Sequence, residues 1–460
     1  MPKRSFLRHS TWTFLVLAVA GASGCGSYVR RHLEKGDSYF EQRKYRDALA
    51  EYVRAIRLDS DNPRGIRQLG LAHYQLGEFQ EAYIYLSKAV ILRPTDDEVR
   101  VKLGSIYVLG RRFGEAMREA DAVLATEPTN LDALGLLGSI YLAKPDPRNA
   151  ADVYRRMIKS APSNPRGHYM LGVSLLMQKN YGGAKDEFAT VLSLSPAELE
   201  ATARLVQISL SEKRPDDALA LVTKQINISG KSAPLMIVLG GVQLARGKRE
   251  LAEAAYLEAI GLDRRAVDLR AKVLNVDARL SLAHLYEIWG KLDQALATLD
   301  DVVKLDPKNS GAFLMLGSAY QRKGDVLNAR RSYEQALFIN PHNAGAANNL
   351  AWLLAENFGE TYKALQYAQR AKQEAPDDPQ IADTFGWILF KTGDYKRALS
   401  LLSESATKLP DNPVVQYHLG VASQRAGDLA AARQAFRRAV KSPESFLGKD
   451  GARKALAALK

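Results

Sequence analysis

A single cysteine, Cys25, is the most distinctive reactive side chain in this 460-residue sequence. Signatures of catalysis or metal binding are otherwise scarce. None of the seven histidines lies in an HExxH motif or at a spacing that brings two imidazoles onto one helical turn. Gly230-Lys231-Ser232 matches the last residues of a phosphate-binding loop, but the glycine required five residues earlier is Gln225. We therefore expect no enzymatic activity, no metal and no cofactor.

The residues in front of Cys25 have the order of an export signal. Three basic residues precede an uncharged, mostly apolar run from Trp12 to Ala22. At about 1.5 Å per residue in a helix, this run is too short to cross a hydrocarbon core of about 30 Å. We therefore predict that residues 1–24 are a signal peptide and not part of the fold.

The tetrapeptide ASGC at 22–25 resembles the lipobox of bacterial lipoprotein precursors. This resemblance implies cleavage before Cys25, a lipid on its sulfur and a short linker at 25–28. Export as a soluble protein is the alternative, because the triplets AVA and AGA in the same stretch also fit the small-x-small cleavage rule. Many lipoproteins retained in the inner membrane carry Asp after the cysteine. Gly26 at that position therefore favours the periplasmic face of the outer membrane.

Basic residues are concentrated at the C-terminal end. The chain has a formal net charge of +13, and Pro413 to Lys460 contain nine Lys or Arg against three Asp or Glu. Basic patches attract polyanions. Because an exported protein meets little nucleic acid, acidic polysaccharide and anionic lipid are the expected partner classes. A solvated surface without a specific partner is the alternative.

Between these ends the sequence repeats with a period of thirty-four residues. A small residue recurs at this interval in most units, and an alanine follows twelve residues after each such position. The two series are Gly36, Gly70, Gly104, Gly138, Gly172, Val206 and Gly240, and Ala48, Ala82, Ala116, Ala150, Ala184, Ala218 and Ala252. Within each half-unit apolar residues fall at i, i+3, i+4 and i+7, the period of an amphipathic helix. We expect two helices per unit that cross at the small residues, where a bulky side chain would overpack the contact.

This pattern resembles the tetratricopeptide repeat (TPR). The resemblance implies an all-α fold, a TPR α-solenoid wound as a right-handed superhelix of about twelve helix hairpins. The predicted segments are repeats one to seven at 29–263, an insertion or hinge at 264–275, repeats eight to twelve at 276–444 and a capping helix at 445–460. A one-residue insertion precedes Ala364 in repeat ten.

The resemblance also implies a protein-binding groove, because the first helices of TPR arrays line a concave face and contact ligands mainly through positions 2, 5, 9, 12 and 13. The candidate residues at those positions are Arg64, Arg67 and Tyr74 in repeat two, Asn348 and Trp352 in repeat ten, Asp383, Trp387 and Phe390 in repeat eleven, and Tyr417, Gln424 and Arg425 in repeat twelve. Aromatic residues beside polar groups are typical of binding hot spots. The alternative is that Trp352 and Trp387 only pack between helices.

The last third has a narrower resemblance. Residues 348–356, 383–399 and 417–432 are similar to the closing repeats of TPR lipoproteins associated with exopolysaccharide and exosortase systems. We therefore expect a lipid-anchored envelope scaffold that binds another envelope protein, in exopolysaccharide export or in secretion. Two alternatives stay open: direct binding of acidic polysaccharide by the basic C-terminal end, and a TPR lipoprotein of pilus assembly. No nucleic acid partner is expected.

Overall fold

The computed structural model is helical throughout the part of the chain that it describes. The described backbone covers residues 11–263, 269–443, 445–446 and 448–459, and the described side chains are those of 26–262, 273–443, 445–446 and 448–459. The side chains of the predicted signal peptide and of Cys25 lie outside this description. No helix within the described residues combines the length and the apolar character needed to cross a membrane.

The helices divide between two compact units, residues 1–211 and 212–460. The first unit contains α1 (Thr11–Glu41), α2 (Tyr45–Leu58), α3 (Pro63–Leu76), α4 (Phe79–Leu92), α5 (Asp97–Leu109), α6 (Phe113–Thr126), α7 (Leu131–Ala143), α8 (Pro147–Ser160), α9 (Pro165–Met177), α10 (Tyr181–Leu194) and α11 (Leu199–Ser211). The second unit contains α12 (Pro215–Ser229), α13 (Ala233–Ala245), α14 (Arg249–Asp263), α15 (Leu269–Trp289), α16 (Leu292–Leu305), α17 (Ser310–Lys323), α18 (Val326–Ile339), α19 (Ala344–Leu353), α20 (Thr361–Glu374), α21 (Pro379–Thr392), α22 (Tyr395–Lys408), α23 (Pro413–Arg425), α24 (Leu429–Lys441) and α25 (Lys449–Ala458). Within each unit, successive helices joined by short turns pack in pairs, and each pair packs on the next. The predicted all-α class is confirmed.

Local sequence sets where these helices begin and end. In the turn between α17 and α18, Gly324 has φ +83°, a left-handed conformation that suits glycine, and the Asp325 carboxylate then accepts a hydrogen bond from the backbone N–H of Asn328 at 3.1 Å. Gly393 and Asp394 repeat this arrangement between α21 and α22. The turn chemistry expected from the sequence is therefore present.

The recurring glycines lie where paired helices cross. A Cβ built at Gly172 would stand 2.8 Å from Cε1 of Phe188, and one built at Gly420 would stand 2.6 Å from Cδ1 of Phe436. Both phenyl rings are fully buried. The absence of a side chain at these positions thus makes room for the ring of the partner helix, as the spacing predicts.

Three irregular places bear on the predicted segments. Residues 269–275 of the predicted insertion form the first turns of α15, while residues 264–268 lie outside the described part. The one-residue insertion of repeat ten is absorbed by a π-helical turn, Leu354–Phe358, that directly continues α19. At the C-terminal end, α25 buries Ala452 in a cluster with Phe436, against which Tyr417 packs.

Candidate functional site

Three helices of the second unit, α19, α21 and α23, carry most of the predicted groove residues. Each is the first helix of its pair, and each of these first helices contacts the next one along the array. Their facing sides bring together six of the predicted residues. These are Asn348, Trp352, Asp383, Trp387, Phe390 and Tyr417.

A buried hydrogen-bonded pair, Asp383 and His418, joins α21 to α23. The carboxylate oxygens of Asp383 lie 2.9 and 3.0 Å from Nδ1 of His418, and the two residues are only 7% and 3% exposed. A carboxylate removed from water in this way is costly unless a donor satisfies it. His418 supplies that donor, so the pair fixes the spacing of the two helices at the centre of the site.

Trp387 packs against this pair. The imidazole of His418 stacks on its indole with ring centroids 4.1 Å apart, and Phe390 stacks nearly parallel at 5.5 Å. The indole Nε1–H donates to Oε1 of Glu356 at 2.9 Å, and Nζ of Lys391 lies 2.6 Å from the same oxygen. These contacts immobilise the indole. They correspond to the packing role that sequence analysis left as the alternative for the tryptophans.

Glu356 reaches Trp387 from the π-helical turn. An extra residue in one turn rotates the side chains that follow it relative to a regular α-helix. Because π-helical turns are frequent at functional sites, this irregularity is a second structural sign, besides the buried Asp383–His418 contact, that this region differs from the other repeats.

Trp352 occupies a different position from Trp387. It is half-buried, its ring lies 5.8 Å from that of His418, and it lines an open cleft of about 240 Å³. We call this the amide cleft. Its lining residues are Gln321, Asn348, Asn349, Trp352, Gln380, Asp383, Thr384, Asn412, Val414 and Val415.

The amide cleft is polar but offers almost no free charge. Its one carboxylate, that of Asp383, is already bound by His418. Some amide groups are also engaged, since Oε1 of Gln321 accepts the hydroxyl of Tyr333 at 2.8 Å. Oδ1 of Asn348, by contrast, is buried without a hydrogen-bond partner among the described residues. The cleft therefore presents uncharged hydrogen-bonding groups beside one indole, an arrangement suited to binding a ligand.

Two other predicted groove residues lie away from the amide cleft. Gln424 and Arg425 are exposed at the end of α23 and do not line it. The guanidinium of Arg425 lies 4.9 Å from the ring centroid of Tyr395, which is a cation–π contact within the same unit.

The predicted residues of repeat two belong to the first unit, and each is engaged by neighbouring side chains. Arg64 forms an ion pair with Asp37. Arg67 binds Asp96 at 2.7 Å and also pairs with a second acidic residue. Burial lowers the pKa of Arg67, but its hydrogen bonds to these two carboxylates outweigh burial and raise the pKa overall. The ring of Tyr74 packs edge-on against Phe79 at 5.7 Å. The two arginines therefore link repeat two to its neighbours, whereas Tyr74 packs on Phe79 within repeat two.

Sequence reasoning missed His418 and the amides at Asn349, Gln380 and Asn412. His418 follows Tyr417 and falls outside the contact positions taken from the TPR resemblance. One signal was available: His418 stands thirty-five residues after Asp383, close to one repeat length, which places an acid and a histidine on adjacent first helices.

The described residues contain no cluster of three or more His, Cys, Asp or Glu side chains that could hold a metal ion. Within the part of the chain that the structure describes, no hydroxyl or thiol is hydrogen-bonded to the side chain of Asp383 or His418.

Comparison with known proteins gives matches along much of the chain. Models described as "TPR repeat" and "Tetratricopeptide repeat" match residues 36–77, 68–96, 101–165, 276–309, 314–379 and 389–443, which together cover more than half of the sequence. Among curated relatives, BBSome complex member BBS4 of Bos taurus is 25% identical over 311 residues, covering 67% of this chain and 57% of the relative. TPR repeat-containing protein MJ1428 of Methanocaldococcus jannaschii is 25% identical over 393 residues, covering 74% of this chain and 67% of the relative. The chain thus spans less than three fifths of the length of the bovine relative.

One similar solved structure is the APC/C hetero-tetramer Cut9-Hcn1. It is 13% identical, with a TM-score of 0.48 over 96% of this chain and 99% of the matched chain.

Proposed function

This chain belongs to the tetratricopeptide repeat family, and from that membership we propose that it is a non-enzymatic scaffold whose amide cleft binds a segment of a partner protein. Proteins with TPR repeats are in general protein-interaction scaffolds. The single observation that carries the proposal for this chain is the amide cleft, a concave surface with an indole, an amide oxygen of Asn348 without a partner among the described residues, and a centre fixed by the contact between Asp383 and His418.

The lining limits the chemistry of the partner segment. A charged side chain would find no opposite free charge there, because Asp383 is held by His418, and its desolvation would go uncompensated. An uncharged segment with its own donors and acceptors can satisfy Oδ1 of Asn348 and the amide of Gln380. An apolar side chain of that segment would pack on Trp352.

We extend the proposal to the place of action. The apolar run before Cys25 and the lipobox resemblance support a lipid-anchored protein of the cell envelope, on the periplasmic face of the outer membrane. The resemblance of the last three repeats supports a role in assembling an exopolysaccharide export or secretion system. Mass spectrometry of the N-terminus tests the anchor, since the proposal requires a thioether-linked diacylglycerol on Cys25 and release of Cys25→Ser into the soluble fraction.

Photocrosslinking in cells tests the cleft. A photoreactive residue at Gln380 is expected to capture a partner, because Gln380 lines the amide cleft. The matched control is Ser403, which is exposed on α22 in the same helix pair but lies outside the cleft. Trp352→Ala should lower capture at Gln380 and leave the fold intact. Equal capture at both positions, or capture only at Ser403, would reject the cleft as the docking site.

Acidic polysaccharide binding is a second candidate, favoured by basic residues at the C-terminal end. Arg438 and Lys441 line an open cavity of about 570 Å³ whose one acidic lining residue is Asp411. Arg433 instead binds the carbonyl oxygen of Leu459. Replacing Arg433, Arg437 and Arg438 by Glu should abolish salt-sensitive binding to an acidic polymer, and unchanged binding would exclude this candidate.

A further inference from the structure

The first two repeats share an edge that is both basic and apolar. Pairing of α1 with α2 and of α3 with α4 brings three segments to the same side: residues 26–33 of α1, the connection from α2 to α3, and the end of α4. We call this the N-terminal edge and define it as residues 26–33, 58–64 and 91–93.

An open cleft of about 350 Å³ lies in this edge. Its lining includes three arginines, one carboxylate and two apolar side chains, namely Arg30, Arg64, Arg93, Asp59, Val29 and Leu33. The three guanidinium groups come from α1, α3 and the residue after α4, so three segments distant in sequence place positive charge around one opening. The floor is apolar, since Val29 and Leu33 are only 5% and 4% exposed.

The arginines of the cleft are incompletely neutralised. Arg64 pairs with Asp37, which lies outside the lining. Arg30 and Arg93 are exposed and form no ion pair with another described residue. One carboxylate in the lining, Asp59, opposes these two, which leaves one positive charge. Guanidinium groups bind phosphate oxygens through paired hydrogen bonds, and a phosphodiester carries the single negative charge that is required.

Apolar side chains surround the cleft on the same edge. At the equivalent ends of the next two second helices, α6 and α8, the residues that align with Ile91 are Ala125 and Lys159, so these two neighbouring repeats lack a large apolar side chain at this position. The exposed large apolar side chains of the edge are Tyr28 (59%), Leu58 (44%), Ile91 (77%) and Leu92 (39%).

We propose that the N-terminal edge docks on an anionic phospholipid surface, with a headgroup phosphate in the cleft of Arg30, Arg64 and Arg93 and with Tyr28, Leu58 and Ile91 at the level of the headgroups. Interfacial tyrosines, apolar side chains and arginines are the combination that binds such a surface. The edge begins at Gly26, one residue after Cys25. The inference therefore rests on the proposed lipid anchor, which would hold this edge and no other against the membrane.

The test uses the acylated full-length protein carrying Ile91→Cys. Cys25 is the only cysteine of the chain, so acylation leaves position 91 as the one thiol that reacts with a spin label. In vesicles containing phosphatidylglycerol, the label at 91 should be shielded from an aqueous nickel chelate and accessible to oxygen. The matched control is Lys159→Cys, which aligns with Ile91 in α8 and should stay in water. A label at 91 as accessible to nickel as the label at 159 would overturn the proposal.

The cleft is tested by Arg30→Gln with Arg93→Gln in the same labelled protein. Each arginine at an anionic surface strengthens binding roughly fivefold, so the double variant should weaken docking about 25-fold and lose most of its salt dependence. Arg148→Gln with Arg156→Gln removes equal charge elsewhere in the first unit and should have little effect. Equal docking of the two double variants would refute the role of the cleft.

Two outcomes separate this inference from its premise. If Cys25 itself takes up the label, the lipid anchor is wrong. The proposal for the edge is then judged by how the full chain partitions between phosphatidylglycerol and phosphatidylcholine vesicles. If the wild type and the Arg30→Gln/Arg93→Gln variant show the same preference, the proposal for the edge is overturned. If inorganic phosphate stabilises the protein through these arginines while vesicles do not bind, the cleft is a site for free phosphate and membrane docking is rejected.

Discussion

The buried hydrogen bond between the Asp383 carboxylate and His418 should couple α21 to α23 energetically. Both side chains are almost fully buried, with N–O distances of 2.9 and 3.0 Å. A hydrogen bond to a charged group contributes about 1.5 to 3 kcal/mol, so Asp383→Asn should lower the free energy of unfolding by about that amount. His418→Gln also removes the stack on Trp387, which adds about 0.5 to 1.5 kcal/mol. The double variant should be less destabilised than the sum, with a coupling energy of about 1.5 to 3 kcal/mol.

Urea denaturation followed by tryptophan fluorescence measures this coupling. Trp352 and Trp387 both lie beside His418, so two of the tryptophans that emit report unfolding at the site itself. The control cycle uses Asp301 and Lys304, an exposed pair 3.3 Å apart in the same unit, whose coupling should be within error of zero. A coupling energy between Asp383 and His418 below about 0.5 kcal/mol, the usual error of additivity, would refute the assigned role.

Three further predictions concern the fold. Gly172→Ala should lower the free energy of unfolding by about 1 to 3 kcal/mol more than Gly182→Ala does, as measured by urea denaturation. The reason is that a Cβ added at Gly172 meets Phe188, whereas one added at Gly182 meets open space. Lys179→Gly should stabilise the folded protein by about 1 kcal/mol, because Lys179 has φ +60° and glycine adopts this conformation without strain. An unchanged midpoint of urea denaturation would contradict this prediction. Burial raises the pKa of Glu287 in the folded protein above its value in the unfolded chain. The carboxyl therefore contributes to the stability of the fold below the unfolded pKa, and this contribution is lost as the pH rises through the folded pKa. Glu287→Gln should therefore stabilise the protein at neutral pH, with the gain disappearing in urea titrations near pH 4.

The repeat architecture was predictable because it depends on local rules that act identically in every unit. A glycine such as Gly172 and an aromatic residue such as Phe188 define a helix crossing wherever they recur in register. The turns between paired helices are equally local, since Gly324 and Asp325 satisfy the backbone on their own. The positions of helix pairs therefore follow from spacing alone.

Register predicts which helices carry the candidate residues, but it does not predict what each side chain contacts. Register places Trp352 and Trp387 at equivalent positions of adjacent repeats. Trp352 nevertheless lines the amide cleft, whereas Trp387 is held by His418 and Glu356. The difference arises from a histidine on the next helix and from the π-helical turn, and neither is encoded in the repeat pattern. In the same way, register marks Arg67 as a contact residue but does not show that Asp96 binds it.

The π-helical turn at Leu354–Phe358 allows the array to accommodate an added residue without disturbing its neighbours. Deleting one residue there would return the segment to ordinary helical winding, and the flanking pairs would keep their stacking. Glu356, however, would swing around the helix axis and release both the indole N–H of Trp387 and the ammonium of Lys391. A length change of one residue in a single turn can thus change which side chains Glu356 contacts on this surface, while the helix pairs on either side keep their packing.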